Sequence, residues 1–507
     1  MSKQPILRIG AVLLLALSLF TCNEEEFLDR VPNGRFTPES FYLNGEQIND
    51  ATTTLYPLMR SMASGALNDY GDYRSDNTTF EFNSNDRGRE GFERVDYFLL
   101  QSGDGYHNQF YNPPYTGIGR ANYILEAVDD VPFIDESRRA TAKAEALFFR
   151  GYFHFLLIQH FGDVISSTEV VDGDGSGLAA ARREPLEDVY QNVVLPDLRA
   201  AIEGLPERWD NNNLGRVDKA TAQMALATTH FHFRDYASAL PLLDSIVESG
   251  NYQLMDNFRD VFFTEQIENT EVIWAAQHSA AVDQGSTWMF DWVAQSGTDI
   301  SMGRQRAGAG FNIPTCSLLD AFEEGDLRRD ATLGIYDSDP DDPENETVPY
   351  STKFLTIPFP EQGGTDVDYP IFRYADVLLM QAEALVETQG GLPNQALTNV
   401  NLIRARAGLD LFFPGNPNPD LDIRTPEQLR AAIRQERRVE LAYEGKRSYD
   451  LRRYGTFVET MRAHGEIQKM KQPFVADVNG AYENIRELLA IPNGQILLYG
   501  YRQNEGW

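Results

Sequence analysis

Arg434-Gln-Glu-Arg-Arg-Val-Glu-Leu-Ala-Tyr-Glu-Gly-Lys-Arg-Ser-Tyr-Asp-Leu-Arg-Arg-Tyr-Gly455 is the stretch on which the reading of this chain turns. Its spacing predicts a helix up to Glu444, a break at Gly445 and a short helical turn through Leu451. Glu436, Glu440 and Glu444 stand four residues apart, so one helical stripe carries three carboxylates. In an exposed helix such like-charge pairs cost roughly 0.2–0.5 kcal/mol each. Arg434, Arg437, Arg438, Arg447, Arg452 and Arg453 supply the opposite charge, with Val439, Leu441, Tyr443 and Leu451 interleaved. That mixture predicts a partly buried ion-pair network. Carboxylates beside arginines also raise the idea of a hydrolase acid and base. Arginine-neutralised carboxylates have depressed pKa values and make poor general acids, however. The structural reading is therefore favoured: a salt-bridge layer that pins the C-terminal segment to the helices before it.

Arg437, Glu440, Leu441, Glu444, Gly445, Arg447, Asp450, Leu451, Arg452 and Arg453 together resemble the C-terminal signature of the SusD/RagB family of surface nutrient-binding lipoproteins. Ser448 departs from the aromatic residue usual before the Tyr-Asp pair. Other segments resemble the same family: 145–153 with the Phe161-Gly162-Asp163 that follows, 369–384, 401–408, and the closing 488–492 and 503–507, where Ala490 replaces a usual proline. The resemblance implies a mainly α fold, in which interrupted tetratricopeptide-like helix pairs form a scaffold with long irregular loops and a few short strands. It further implies a lipid-anchored protein at the outer membrane that binds a glycan. The implied partner is a SusC-like TonB-dependent transporter that takes the ligand onward.

The 507 residues are 42% hydrophobic, enough for a large core, and carry a formal net charge of −32. A surface of that sign repels phosphate backbones, which makes nucleic acid a poor candidate partner. The two cysteines, Cys22 and Cys316, allow no disulfide framework. Lys3 and Arg8 precede an apolar run over 11–20 that is too short to cross a hydrocarbon layer of ~30 Å. Charge followed by a short apolar run reads as a secretory signal over 1–21. Cys22 directly behind it, with Leu19 in place, resembles a bacterial lipobox. Acylation of Cys22 by more than one chain, at ~0.8 kcal/mol per buried methylene, anchors stably. The acidic Asn23–Asp29 segment resembles the surface-export signal of Bacteroidetes lipoproteins.

The mature chain, 22–507, reads as one domain. Helices are predicted over 46–62, 118–128, 137–161, 187–205 with a kink at Pro196, and 219–234. A partner helix follows 219–234, and a further pair lies over 375–386 and 394–407. Two segments lack helical period, 64–117 and about 277–350, and both are rich in aromatics, Gly, Asn and Asp. Long loops of this kind in a compact protein are usually functional. They are assigned the ligand-facing role, with Asp72, Tyr73 and Arg74 from the first and Trp288 and Trp292 from the second as candidate binding residues. Planar rings suit the apolar faces of sugars, and charged neighbours suit their hydroxyls.

No catalytic or metal residues are assigned. Asp172-Gly-Asp-Gly-Ser-Gly177 begins like a calcium loop, but its twelfth position is Arg183 where a bidentate Glu is needed. The acidic run 337–346 lacks a shaping glycine and reads as a solvated loop. His154 with His160, and His230 with His232, read as core or surface histidines. No cofactor is implied. A peptide ligand in the same architecture, or a glycoside hydrolase using loop carboxylates, are the competing readings.

Overall fold

Apolar residues recurring at three- and four-residue steps set the scaffold. The computed structural model describes residues 42–63, 65–81, 90–171, 182–265, 268–282, 284–286, 291–294, 308–337, 347–355 and 364–507. Helices α1 (Gly45–Thr53) and α2 (Tyr56–Ala63) lead into two long ones, α3 (Tyr106–Ala127) and α4 (Glu136–Phe161). Asp135 caps α4 by accepting the Ser137 N–H at 3.0 Å, and Gly162 ends it with φ of 69°. Nearly every residue of α4 from Phe148 onward is buried, so its C-terminal half has no solvent face.

The remaining helices stack outward from α4. α5 (Leu195–Gly204) packs on α4, α6 (Lys219–His232) on α5, and α7 (Tyr236–Glu248) on α6. Buried Ala220, Ala222, Ala225 and Ala227 let α6 approach its neighbours closely. α8 (Tyr374–Gln389) packs directly on α7, with Gln381 Nε2 donating to Asp244 Oδ1 at 2.7 Å. α9 (Asn394–Arg406) lies on α8, and α10 (Pro426–Glu440) on both. The helix pairs therefore form one continuous stack, and the whole of 249–373 is an insertion that leaves it and returns. The chain closes with α11 (Arg447–Tyr454), α12 (Phe457–Lys471) and α13 (Asn493–Tyr499).

Several local expectations are revised. The helix expected over 46–62 is broken at Thr54-Leu55. The kink near Pro196 is a π-helical run, Tyr190–Val194, which absorbs the misfit of a residue that has no N–H to give. The described part of segment 64–117 is not an irregular loop. It holds a π-helical turn over Asp69–Tyr73, the helix Glu90–Asp96, and the first half of α3, which runs straight through Pro113 and Pro114. Burial of Phe110, Tyr111, Pro114 and Ile118 outweighs the backbone hydrogen bonds that the two prolines forfeit.

Near the C-terminus α10 stops at Glu440, one turn before the expected Glu444. It opens with a Thr425/Gln428 capping box and Pro426 in the first turn. The chain then turns tightly through Tyr443 (φ 66°) and Gly445 (φ 64°). Gly71 sits against this turn so closely that a Cβ there would lie 2.1 Å from the Gly445 carbonyl oxygen.

Strands are few and short among the described residues, and form three antiparallel pairs. β1 (Thr78–Thr79) pairs with β3 (Ile313–Pro314), β2 (Val272–Ala276) with β6 (Tyr369–Arg373), and β4 (Leu333–Asp337) with β5 (Thr347–Ser351). The β2–β6 pair matters most, because it roots the insertion on the scaffold. Val272 stands opposite Arg373 and Ala276 opposite Tyr369.

Candidate ligand-binding cleft

β6 delivers Arg373 into the carboxylate stripe. Arg373 Nη1 donates to Glu440 Oε1 at 2.6 Å and to Glu271 Oε1 at 2.7 Å, and its Nε to Glu444 Oε2 at 2.7 Å. Arg328 Nη1 reaches Glu436 at 2.9 Å and Glu440 at 3.2 Å. Arg404 Nη1 holds Glu436 at 2.7 Å, and Arg406 pairs with both Glu271 and Glu440. Lys353 Nζ caps the end of α10, donating to the carbonyls of Glu440 (3.0 Å) and Ala442 (2.7 Å) and to Glu444 Oε1 (2.6 Å). The network is buried, as expected, but the arginines of the stretch itself do not answer its three glutamates. Arg437 goes to Asp376 and Asp450, Arg453 to Glu383 and Asp450, and Arg438 and Arg447 to Asp76. Arg434 lies over the Tyr454 ring, 3.8 Å from its centroid. Burial pushes Glu440 toward protonation, but Arg406, Arg373 and Arg328 hold its carboxyl well below the usual range. A carboxylate so held cannot act as a general acid, which places this layer in the architecture.

On the insertion, the same strand pair shapes an open cleft of about 840 Å³. Val272 and Ala275 of β2, Pro370 of β6, and Val261, Phe262 and Phe263 give it an apolar floor. The segment after β2 and the segment before β6 supply the polar wall, and they are knitted together. Asp368 Oδ1 accepts the His278 N–H at 2.8 Å, and Asp366 Oδ1 accepts the Ala280 N–H at 2.7 Å. Ser286 and Thr365 form an isolated bridge, and their hydroxyls meet at 2.8 Å. Arg60, reaching over from α2, donates to Gln284 Oε1 at 2.6 Å. Burial pushes His278 down to about 4, and its Nδ1 stands 3.0 Å from the Ala276 carbonyl, so the ring is neutral and donates there. Gln277, Gln284 and Asp366 are exposed at the mouth. An apolar floor under converging amides and carboxylates is suited to a hydroxylated ligand with one apolar face.

Most of the residues assigned to ligand contact lie elsewhere. Asp72, Tyr73, Arg74 and Trp292 are 0%, 1%, 2% and 3% exposed. Trp292 packs against Tyr443 and Phe354, with ring centroids 5.6 and 5.8 Å apart. Arg74 donates to the Arg486 carbonyl and lies over the rings of Tyr70 and Phe98. Asp72 accepts the Gly445 N–H at 3.3 Å, and burial pushes its carboxyl up to about 7. Asp72 and Trp292 brace the 441–445 turn, and all four side chains are buried, so none presents a face to solvent where a ligand could stack. Trp288 falls outside the described residues, as do Cys22, the 1–21 leader, 172–177 and 338–346. The 277–350 segment given the ligand-facing role supplies Gln277, His278, Ser279, Ala280 and Gln284 of the cleft lining, but the sequence singles out none of these as a binding residue. The other lining residues, Arg60, Leu214, and those within 261–275 and 364–370, carry no local signal that would gather them.

Among the described residues no group of three His, Cys, Asp or Glu side chains is placed to hold a metal ion. His154 and His160 are buried in α4, each bonded to a backbone carbonyl one turn back.

Stacked helix pairs with one large insertion define the class: a helical-repeat scaffold whose inserted loops carry an open cleft. Two family models match the chain, one described as SusD family over residues 333–507 and one as "Starch-binding associating with outer membrane" over 26–229. The chain belongs to the SusD/RagB family. It is 26% identical over 482 residues to SusD-like protein P2 of Formosa agariphila, spanning 87% of this chain and 89% of that one. It is 25% identical over 479 residues to a SusD-like protein of Bacteroides ovatus, spanning 85% and 80%. Among solved structures, a laminarin-binding SusD-like protein superposes with a TM-score of 0.74 at 24% identity, covering 92% of this chain and all of that one. Surface glycan-binding protein A from Bacteroides uniformis superposes at 0.73 and 22% identity, covering 90% and 99%.

Proposed function

We propose that this protein is a surface lipoprotein, anchored through acylated Cys22, that binds a glycan in the cleft beside β2 and β6. From there it hands the glycan to a SusC-like TonB-dependent outer-membrane transporter. The observation that carries the reading is the cleft, where Phe262 and Phe263 lie beneath Gln277, Gln284, Asp366 and His278. Support comes from the laminarin-binding and surface glycan-binding proteins that share the fold. Binding rather than turnover is the role we assign, since Asp366 and Asp368 of the cleft wall each accept a backbone N–H.

Titration calorimetry with neutral and acidic polysaccharides tests the cleft. Phe263→Ala should weaken a bound glycan by about tenfold or more, the effect of truncating a central contact, without lowering the melting temperature by more than a few degrees. Unchanged affinity in both Phe263→Ala and Gln277→Ala would move the site elsewhere. Release of Cys22→Ser from the membrane fraction in high salt is expected; its retention there would remove the anchor.

A further inference from the structure

A second groove lies away from the cleft and shares no lining residue with it. It has a volume of about 520 Å³ and is framed by four tyrosines, Tyr111 and Tyr115 of α3 facing Tyr499 and Tyr501 at the end of α13. Tyr499 and Tyr501 are stacked, centroids 5.3 Å apart and planes 23° apart. Tyr111 and Tyr115 lie 4.6 Å apart. The rings are held firmly. Tyr115 Oη is bonded to both the N–H and the carbonyl of Ile165 at 3.1 Å, and Tyr111 meets Phe161 edge-on. Arg183 ties the chain beyond Tyr501 in place, donating to the Arg502 carbonyl at 2.6 Å and to Asn504 Oδ1.

The polar groups of the groove are as informative as its rings. Among the described residues Asn112, Thr116, Ser167 and Gln495 line it, and no Asp, Glu, Lys, Arg or His does. On a chain of net charge −32 such an uncharged lining stands out. The described lining offers nothing to neutralise a phosphate, a carboxylate or an amine. Aromatic faces with amides and hydroxyls between them suit a ligand that is flat and apolar on one side and ringed with hydroxyls on the other. We infer that this groove is a second binding site for a neutral saccharide, taking a pyranose ring against the half-buried Tyr499, on which the buried Tyr501 stacks. The inference does not depend on the cleft.

Gly119 provides a clean probe, because a Cβ there meets nothing within 4 Å and the residue borders the groove. Gly119→Gln should fill the space without disturbing α3. The experiment is hydrogen–deuterium exchange of the full chain with millimolar laminarihexaose, maltohexaose or xylohexaose, and with hexaproline, a neutral peptide that also favours aromatic grooves. At least one saccharide should protect peptides covering 111–119 and 495–501, with apparent affinity about tenfold weaker in Gly119→Gln and in Tyr499→Ala. Protection confined to 277–286 and 364–370 would support the cleft alone and overturn the second site. Protection of the groove alone would sustain it while refuting the cleft. Equal protection in wild type and both variants, or protection by hexaproline in place of every saccharide, would also overturn it.

Discussion

Glu440 shows how a single residue can hold distant parts of the chain. Its carboxylate meets guanidinium groups from β6, from α9 and from the short helix Leu327–Thr332. Glu440→Ala would leave Arg373 and Arg328 buried with fewer partners, and removing one member of a buried pair costs roughly 3–5 kcal/mol. Thermal denaturation should show a marked drop in melting temperature, whereas an unchanged midpoint would mean the layer is not structural. Two buried aspartates respond to pH in opposite ways. Burial pushes Asp450 upward, but Arg437 and Arg453 hold it down at about 2, below its ordinary value of 3.8. Its contribution is present above pH 4 and lost as the pH falls toward 2. Burial raises Asp72 from the same ordinary value to about 7, so the folded state binds a proton there that the unfolded chain has released. Stability therefore declines as the pH rises from about 4 to about 7 and levels off above that. Asp72→Asn should flatten this decline and raise the melting temperature at pH 8 relative to wild type. Parallel pH profiles for mutant and wild type would contradict the assignment.

At the scale of elements, the 441–445 turn joins the scaffold to the N-terminal segment. It is held by Lys353 on the Ala442 carbonyl, by Asp72 on the Gly445 N–H, and by the close approach of Gly71. An added methyl group at Gly71 would collide with backbone, which cannot swing aside as a side chain can. Gly71→Ala should therefore cost several times the ~1 kcal/mol typical of a point substitution. An urea titration that finds Gly71→Ala as stable as wild type would show that the two segments separate easily. The same turn explains why Glu444 joins the network although α10 ends at Glu440. The left-handed Tyr443 and Gly445 fold the chain back, so that Glu444 meets Arg373 and Lys353 from a position no continuing helix would give it.

Across the whole molecule the formal charge is −32, whereas in the buried layers around Glu440 and Arg437 cations and carboxylates answer one another. Salt screens exposed charges over a Debye length of about 10 Å at 0.1 M and affects buried pairs far less. The melting temperature should rise as sodium chloride increases from low to moderate concentration, through relief of surface repulsion. A fall would mean that exposed ion pairs contribute more to stability than the surface repulsion opposes. Glu440→Ala should shift in parallel with wild type in the same series, because its network lies out of reach of the salt.

The sequence alone determined the helix over 219–234 with its partner, the pair over 375–386 and 394–407, and the buried ionic character of 434–455, and it identified the family by resemblance. These features are local: a helix writes its period into adjacent residues, and three glutamates at four-residue steps declare a common face whatever surrounds them. Where each charge finds its partner was decided by tertiary structure. Arg437 and Glu440 are close in sequence yet pair apart, since the arginines of β6 and α9 arrive from the opposite side of the stack. Tertiary structure also decided which aromatics face water. Tyr73 and Trp292 look like surface platforms in a Gly- and Asn-rich stretch, but burying a large ring is worth more than exposing it, and the core takes them. The cleft and the tyrosine groove exist only through contacts between segments distant in sequence, Arg60 with Gln284 and Tyr115 with the approach of the C-terminal Tyr499. No local pattern records such meetings, because the free energy that makes them comes from packing the whole chain.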